Sequence, residues 1–240
     1  MSHSRRSAVI LTVGNELTSG DVENSNASWL ARSLEARGWR VRLVAAVPDD
    51  VDEIARFLEL HRGDAERVLV TGGLGGTPDD RTREGVAAVL GVECTLDERA
   101  AAPLRARFAG HGLAAYAERW ATLPAGSEPL GNPLGGAPAF AVDEIYVLPG
   151  VPAEMRACFE AIADRFPGDP IRQARLRYPA VESDLIGALV AFEERYADVS
   201  LGSYPSFDDG RREVELVLKS SDPARLAEAV GWLEAAIAAR

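Results

Sequence analysis

The stretch Thr71-Gly72-Gly73-Leu74-Gly75-Gly76-Thr77-Pro78-Asp79-Asp80-Arg81-Thr82 carries the densest potential chemistry in the sequence. It follows a short apolar run, Arg67-Val68-Leu69-Val70, and precedes a helical pattern that begins at Thr82. In an open α/β sheet such a loop lies at the carboxyl edge, where ligands bind. Glycines let consecutive backbone N–H groups converge on an anion, and the following helix adds positive potential. The plainer alternative is a tight turn in which Asp79 and Asp80 cap the helix, but a turn alone rarely needs so many glycines. The loop lacks the Gly-Lys-Ser/Thr of a Walker loop and the Gly-x-Gly-x-x-Gly of a dinucleotide fingerprint. With no lysine to reach a phosphate, two adjacent carboxylates beside an anion cradle point to a divalent cation bridging protein and ligand.

Two further segments fall at the same edge. Gly14-Asn15-Glu16-Leu17, with Gly20 and Asn24-Ser25-Asn26, follows the first apolar run. Glu16 can complete a carboxylate set, and Asn24 and Asn26 offer amide contacts or helix caps. Gly131-Asn132-Pro133-Leu134-Gly135-Gly136-Ala137-Pro138 and Leu148-Pro149-Gly150-Val151-Pro152-Ala153-Glu154-Met155 are proline-stiffened loops suited to a pocket mouth. Glu154 reads either as a site residue or as a first-turn cap of the next helix. His111, between two glycines, reads as a surface residue, and His61 as the C-terminal residue of a helix. No Ser, Cys or Thr has a visible base partner, which argues against a covalent nucleophile. Trp29, Trp39, Trp120 and Trp232 read as packing residues.

The elements that must position these loops alternate. Ala8–Val13 is a continuous apolar run, the mark of a strand covered on both faces. A helix over Asn26–Arg37 ends at Gly38, a strand follows over Val41–Val47, and Asp50 starts a helix carrying Val51, Ile54, Phe57 and Leu58. Strand Arg67–Val70 and a helix from Thr82 to Leu90 repeat the unit, so a three-layer α/β/α sandwich is expected. Asp97 to Arg119 reads as helix interrupted near Pro103 and at residues 110–112, and residues 122–139 read as a long ordered loop. Ile145–Leu148 returns to the sheet and Ala153–Arg165 is helical. Phe166-Pro167-Gly168-Asp169-Pro170 reads as a boundary, giving domains 1–168 and 169–240. Beyond it the order is strand (172–178), helix (182–196), strand (199–204), turn (208–210), strand (212–218) and helix (223–239), a small α+β domain.

The 240 residues carry 37 acidic and 26 basic side chains, a formal net charge of −11. Of the basic residues, all but Lys219 are Arg. That balance argues against nucleic acid or an anionic membrane as a partner, and residues 171–240 contain no Gly-x-x-Gly clamp of the RNA-binding kind. Cys94 and Cys158 form no pair motif, and no apolar run reaches the length of a leader or membrane span. A soluble cytoplasmic protein is expected.

In their order, Gly-Asn-Glu-Leu, Asn-Ser-Asn, Gly-Gly-Leu-Gly-x-Thr-x-Asp-Asp-x-Thr, Asn-Pro-x-Gly-x-Ala-Pro and Leu-Pro-Gly-Val-Pro-x-Glu-Met resemble the CinA-type branch of the molybdopterin-binding-domain superfamily. Glu182-Ser183 and Leu201-Gly202-Ser203-Tyr204-Pro205 extend the resemblance into the second domain. It implies metal-dependent cleavage of a pyrophosphate in ADP-ribose or FAD, or alternatively binding of molybdopterin. Carried over, the amides of Gly72, Gly73, Leu74, Gly75 and Thr77 hold phosphate, and Asp79 and Asp80 coordinate Mg, Mn or Co or orient water. Glu16 joins them as a catalytic residue, while Gly14, Asn26, Asn132, Gly150, Pro152 and Glu154 line the site. The resemblance implies a homo-oligomer, dimer or trimer, and no deamidase domain within these residues. Gly76 stands where proline is usual, Thr18 where a second leucine is usual, Ala139 and Val181 where glycine is usual. Trp120 stands where glutamine is common.

Overall fold

The computed structural model describes residues 6–109, 114–208 and 211–239. Residues 1–35 and 39–168 form one compact unit, and residues 36–38 and 169–240 a second. His111 and residues 209–210 of the expected turn lie outside the described residues.

In the first unit the chain runs β1 (Ser7–Val13), α1 (Asn15–Ser19), α2 (Ser25–Ala36), β2 (Arg40–Val47), α3 (Val51–His61), β3 (Arg67–Thr71), α4 (Thr82–Leu90), β4 (Cys94–Leu96), α5 (Glu98–Arg107), α6 (Ala114–Ala121), β5 (Thr122–Pro124), β6 (Glu128–Leu130), β7 (Ala139–Val142), β8 (Ile145–Leu148) and α7 (Pro152–Ala161). The central sheet has the order β2-β1-β3-β8-β7-β6. β2, β1, β3 and β8 are parallel, while β7 and β6 join antiparallel at one edge.

Side-chain alternation splits β1 between two apolar layers. Val9, Leu11 and Val13 pack with Ile54 and Leu58 of α3, Val86 of α4, Leu104 of α5 and Ala117 of α6. Ala8 and Ile10 pack with Leu30 and Leu34 of α2 and with Met155 and Phe159 of α7. Every residue from Ala8 to Val13 is buried, as a strand covered on both faces requires. The unit is therefore a three-layer α/β/α sandwich.

Two regions differ from the sequence expectation. The segment 122–139, read as a loop, contains β5 and β6: β5 pairs with β4, Leu123 opposite Thr95, and β6 pairs with β7 at the sheet edge. Three-residue strands holding Pro124 and Pro129 are too short to show a period of two. Pro103, expected to interrupt a helix, lies inside an unbroken α5. It sits on the exposed side, where water can satisfy the carbonyl that loses its partner.

The second unit comprises β9 (Arg172–Tyr178), α8 (Glu182–Arg195), β10 (Ser200–Asp208), β11 (Arg211–Ser220) and α9 (Pro223–Ala238). Its antiparallel sheet has the order β10-β11-β9, and Leu185, Phe192, Val214, Leu216 and Leu233 fill the core beneath it. Among the described residues no helix is long and apolar enough to cross a membrane.

The starts of α3, α5 and α9 follow their aspartate capping signals. The Asp50 carboxylate accepts the Asp52 and Glu53 amides at 3.0 Å each at the start of α3. Asp50→Ala is expected to lower stability by about 1 kcal/mol, read as a shifted thermal midpoint, with ligand affinity unchanged.

Candidate phosphate-binding cleft

At the carboxyl edge of β1, β2 and β3 lies a cleft of about 340 Å³. Its lining includes Gly14, Glu16, Asn26, Asp49, Gly72, Gly73, Asp79, Asp80, Gly150 and Pro152. Nine of these ten were expected from the sequence, which brings the first two loops and the Pro149–Pro152 turn together. Asp49 was not expected.

The glycine loop is shaped by two left-handed residues and one carboxylate. Gly72 has φ +105° and Gly73 φ +63°. A Cβ on Gly72 would overlap the Val13 carbonyl oxygen, and one on Gly73 would overlap Thr82 Oγ1. Neither position can therefore take a side chain without moving the backbone. Asp80 Oδ1 accepts the Gly75 amide at 2.7 Å, while Oδ2 accepts the Thr77 amide at 2.9 Å and the Thr77 hydroxyl at 2.6 Å. Thr82 Oγ1 donates to the Gly72 carbonyl at 2.8 Å, tying the start of α4 to the end of β3. Gly150 closes the other side, its Cα so near Gly72 that a Cβ would sit 3.2 Å from the Gly72 Cα.

These bonds assign several residues roles other than those expected. Asp80, expected as a catalytic metal ligand, clasps its own loop. It does not cap α4, whose N-cap residue is Arg81 with no side-chain bond. The amides of Gly75 and Thr77 are taken by Asp80, and that of Gly72 donates to the Leu148 carbonyl at 3.2 Å. None of these three is free to hold phosphate while the bonds stand. Among the described residues the amide of Gly73 has no acceptor. Leu74 is 1% exposed and packs in the apolar layer with Val13 and Val86, so its side chain faces away from any ligand.

Arg83 is the residue that sequence reasoning missed. It is 2% exposed, its Nη1 and Nη2 both lie 3.2 Å from the Gly75 carbonyl, and Nη2 also donates to the Leu74 carbonyl. A buried cation thus sits beneath a loop that contains no lysine. Burial lowers its pKa to about 10, which leaves it charged at neutral pH. No spacing marks it: at the second position of α4 it reads like any exposed helical Arg.

Asn24 and Asn26 divide the work left open in the sequence. Asn24 Oδ1 accepts the Ala27 amide at 3.1 Å, near the start of α2, and its Nδ2 donates to Thr12 Oγ1 at 2.7 Å. Asn26 Nδ2 donates to the Gly150 carbonyl at 2.7 Å, and its Oδ1 is buried with no partner in the structure. A buried acceptor without a donor costs free energy unless water or a ligand supplies one, so Asn26 presents an acceptor for a ligand hydroxyl or a water.

Electrostatically the cleft is acidic. Asp49 Oδ2 accepts the Asn15 amide at 2.9 Å. Its carboxyl is pushed above the usual range mainly by burial, partly offset by that amide, and further by the charges of Glu16, Asp79 and Asp80. Asp79 is exposed and held below its usual value, chiefly by the Thr77 hydroxyl beside it and also by Arg119 and Arg81. An acid whose pKa is raised on folding weakens the fold once the pH rises through that pKa. Asp49→Asn is therefore expected to be more stable than the parent protein at pH 7, with the difference vanishing as the pH falls below the carboxylate range. Chemical denaturation at both pH values measures it.

Asn132 and Glu154 were expected in the cleft but lie off its lining. Asn132 Nδ2 donates to Glu154 Oε2 at 2.8 Å and to the Ala137 carbonyl at 2.9 Å. The pair staples the 131–138 loop to the first turn of α7. Cys94 and Cys158 are free thiols, and burial raises them to about 11 and about 12, which makes them poor nucleophiles.

The comparisons with known proteins agree with this architecture. The profile described as "Probable molybdopterin binding domain" matches residues 9–168. The chain belongs to the molybdopterin-binding-domain family. Residues 170–240 match the profile of the "FAD synthase, middle domain". The chain is 36% identical over 197 residues to a protein of Archaeoglobus fulgidus, covering 82% of this chain and 85% of that one. It is 41% identical over 165 residues to a CinA-like protein of Frankia casuarinae, covering 64% of this chain but only 38% of that one. It is likewise similar to the crystal structure of CinA, a protein with unknown function, from Thermoplasma acidophilum. There the identity is 34% and the TM-score 0.63, covering 68% of this chain and 99% of that one. The chain is thus a CinA-like member of the family that spans well under half of some longer relatives.

Proposed function

We propose that this CinA-like chain is a divalent-metal-dependent nucleotide pyrophosphatase acting on ADP-ribose-like or FAD-like substrates. The observation that carries the reading is a lysine-free glycine loop facing Glu16, Asp49 and Asp79 across one cleft. Bare phosphates cannot approach several carboxylates without a cation between them. Among the described residues no three His, Cys, Asp or Glu side chains are grouped to hold a metal by themselves. The exposed, all-oxygen donor set instead fits a Mg-type ion, which takes one or two carboxylates and completes its shell with phosphate oxygens and water. Asp79 is the ligand of choice, ionised and unburied, with Asp49 able to join it.

Bound there, the cation supplies charge neutralisation on the pyrophosphate. The chain supplies the rest. The Gly73 amide and the Arg83 charge beneath the loop hold the phosphate electrostatically. The Asn26 acceptor orients a ligand hydroxyl or a water. Glu16, whose carboxylate bonds no other side chain among the described residues, is the candidate base for the attacking water. The match of residues 170–240 to the FAD synthase middle domain supports a flavin nucleotide among the substrates.

Incubation of the purified protein with ADP-ribose or FAD and Mg²⁺, Mn²⁺ or Co²⁺ is expected to release AMP, with ribose 5-phosphate or FMN. Silence with every pair of metal and substrate overturns the hydrolase reading. The family match over residues 9–168 favours molybdopterin binding as the second reading, and tight binding of added molybdopterin by a protein without hydrolase activity would establish it instead.

A further inference from the structure

A second cavity of about 520 Å³ opens on the other side of the 131–138 loop, and nothing in the pyrophosphate reading uses it. Stiff apolar side chains, Pro103, Leu104, Pro129, Leu130 and Pro138, form part of its lining, beside Arg99, Glu128 and Asn132. Its rim carries a cation, Arg107, whose guanidinium lies on the Cα of Gly135 so closely that a Cβ there would overlap it. Gly135 has φ +77°, a backbone conformation that favours glycine. The other charged groups at the rim have partners: Arg99 bonds Asp97, and Glu128 bonds Arg165. Among the described residues Arg107 bonds no carboxylate; its guanidinium lies against Gly135 and 5.9 Å from the ring centroid of its neighbour Phe108.

One staple ties the cavity to the helix whose first residue lines the cleft. Gly136 lines the cavity and lies against the Glu154 carboxylate, which Asn132 holds at 2.8 Å. Two residues before Glu154, Pro152 lines the cleft. The cleft, at the small end of the roughly 300–1,000 Å³ usual for ligand pockets, has polar walls suited to phosphate. The neighbouring cavity adds proline and leucine side chains and the Arg107 guanidinium.

Resting on the pyrophosphatase reading, we propose that the proline-walled cavity receives the flat heteroaromatic ring of the same ligand, and that Arg107 recognises it. Proline and leucine faces pack against a planar ring. A guanidinium both stacks on such a ring and donates to its acceptor atoms. The site is thereby bipartite, with the phosphates over the glycine loop, the ring beyond the 131–138 loop, and Asn132 and Glu154 fixing the spacing between them.

The test compares two uncleavable probes with Mg²⁺ by titration calorimetry: methylenediphosphonate, which has no ring, and α,β-methylene-ADP, which adds one. The parent protein is expected to bind the second about tenfold more tightly. Pro103→Trp obstructs the cavity and Arg107→Glu reverses its rim charge, both at exposed positions. Each is expected to abolish the tenfold advantage while leaving methylenediphosphonate affinity unchanged, which also shows the variants to be folded. Retention of the advantage in both variants overturns the inference and leaves the pyrophosphate reading standing. Equal loss for both probes overturns it too, since the cavity then acts only through the structure of the cleft. A parent protein that binds neither probe overturns the reading and the inference together.

Discussion

An Arg83→Met protein is expected to melt about 10 °C lower than the parent and to lose its affinity for methylenediphosphonate. The side chain is 2% exposed and its two terminal nitrogens serve the Leu74 and Gly75 carbonyls. Methionine fills most of the volume but leaves two carbonyls without donors, a cost of about 3 kcal/mol, which gives that shift in a unit of this size. The effect on binding follows from the planarity of the peptide bond. In a trans peptide the C=O and the next N–H point in opposite directions. Holding the Leu74 carbonyl toward Arg83 therefore turns the Gly75 amide toward Asp80, where it is found at 2.7 Å. Holding the Gly75 carbonyl inward turns the Gly76 amide away in the same manner. Arg83 thus sets two successive peptide planes of the loop. Arg83→Lys separates charge from shape: an ammonium keeps the positive potential but cannot fork between two carbonyls. It is expected to recover part of the stability and only that part of the affinity which the charge alone supplies. Equal anion affinity in all three proteins would show that the loop holds its shape without Arg83.

Why Arg83 escaped the sequence reading, while the loop above it did not, is a matter of range. The parallel strands were legible because a strand covered on both faces must be apolar at every residue, and Ala8–Val13 is. Asp50 and Gly38 punctuate the chain by local backbone chemistry, so the helices they start and stop were legible too. The glycines of the loop announce backbone conformations that other residues reject, and Gly72 and Gly73 do adopt positive φ. Arg83, Asp49 and the second cavity depend on what the tertiary fold lays against them. Pro48-Asp49-Asp50 looks like a helix start; only Asp50 caps, while Asp49 turns to the Asn15 amide. The β4–β5 and β6–β7 pairings join residues far apart along the chain through strands too short to leave a pattern. Adjacent aspartates were legible as a pair, but not which of them folds back on the loop.

That last distinction yields the sharpest contrast between variants. Asp79→Asn is expected to lower metal-dependent cleavage about a hundredfold while lowering the thermal midpoint of the metal-free protein far less than Asp80→Asn does, because Asp79 is exposed and its side chain meets the loop only at the Thr77 hydroxyl. Asp80→Asn is expected to lower that midpoint, since one of the two carboxylate oxygens that together accept three loop donors becomes an amide. Any cleavage it loses follows from the loop's disorder. The readout that separates a ligand from a positioning residue is the stabilisation that bound metal and α,β-methylene-ADP confer together, which grows with occupancy over the dissociation constant. In the parent protein the midpoint rises with Mn²⁺ and that nucleotide. In Asp79→Asn the rise is expected to disappear at the same concentrations. In Asp80→Asn it is expected to persist from a lower starting point, because the remaining carboxylates still face the cleft. If instead Asp80→Asn abolished the rise and Asp79→Asn kept it, the roles of the two aspartates would be exchanged. The bonds from Gly75 and Thr77 would then have to break for the metal to bind.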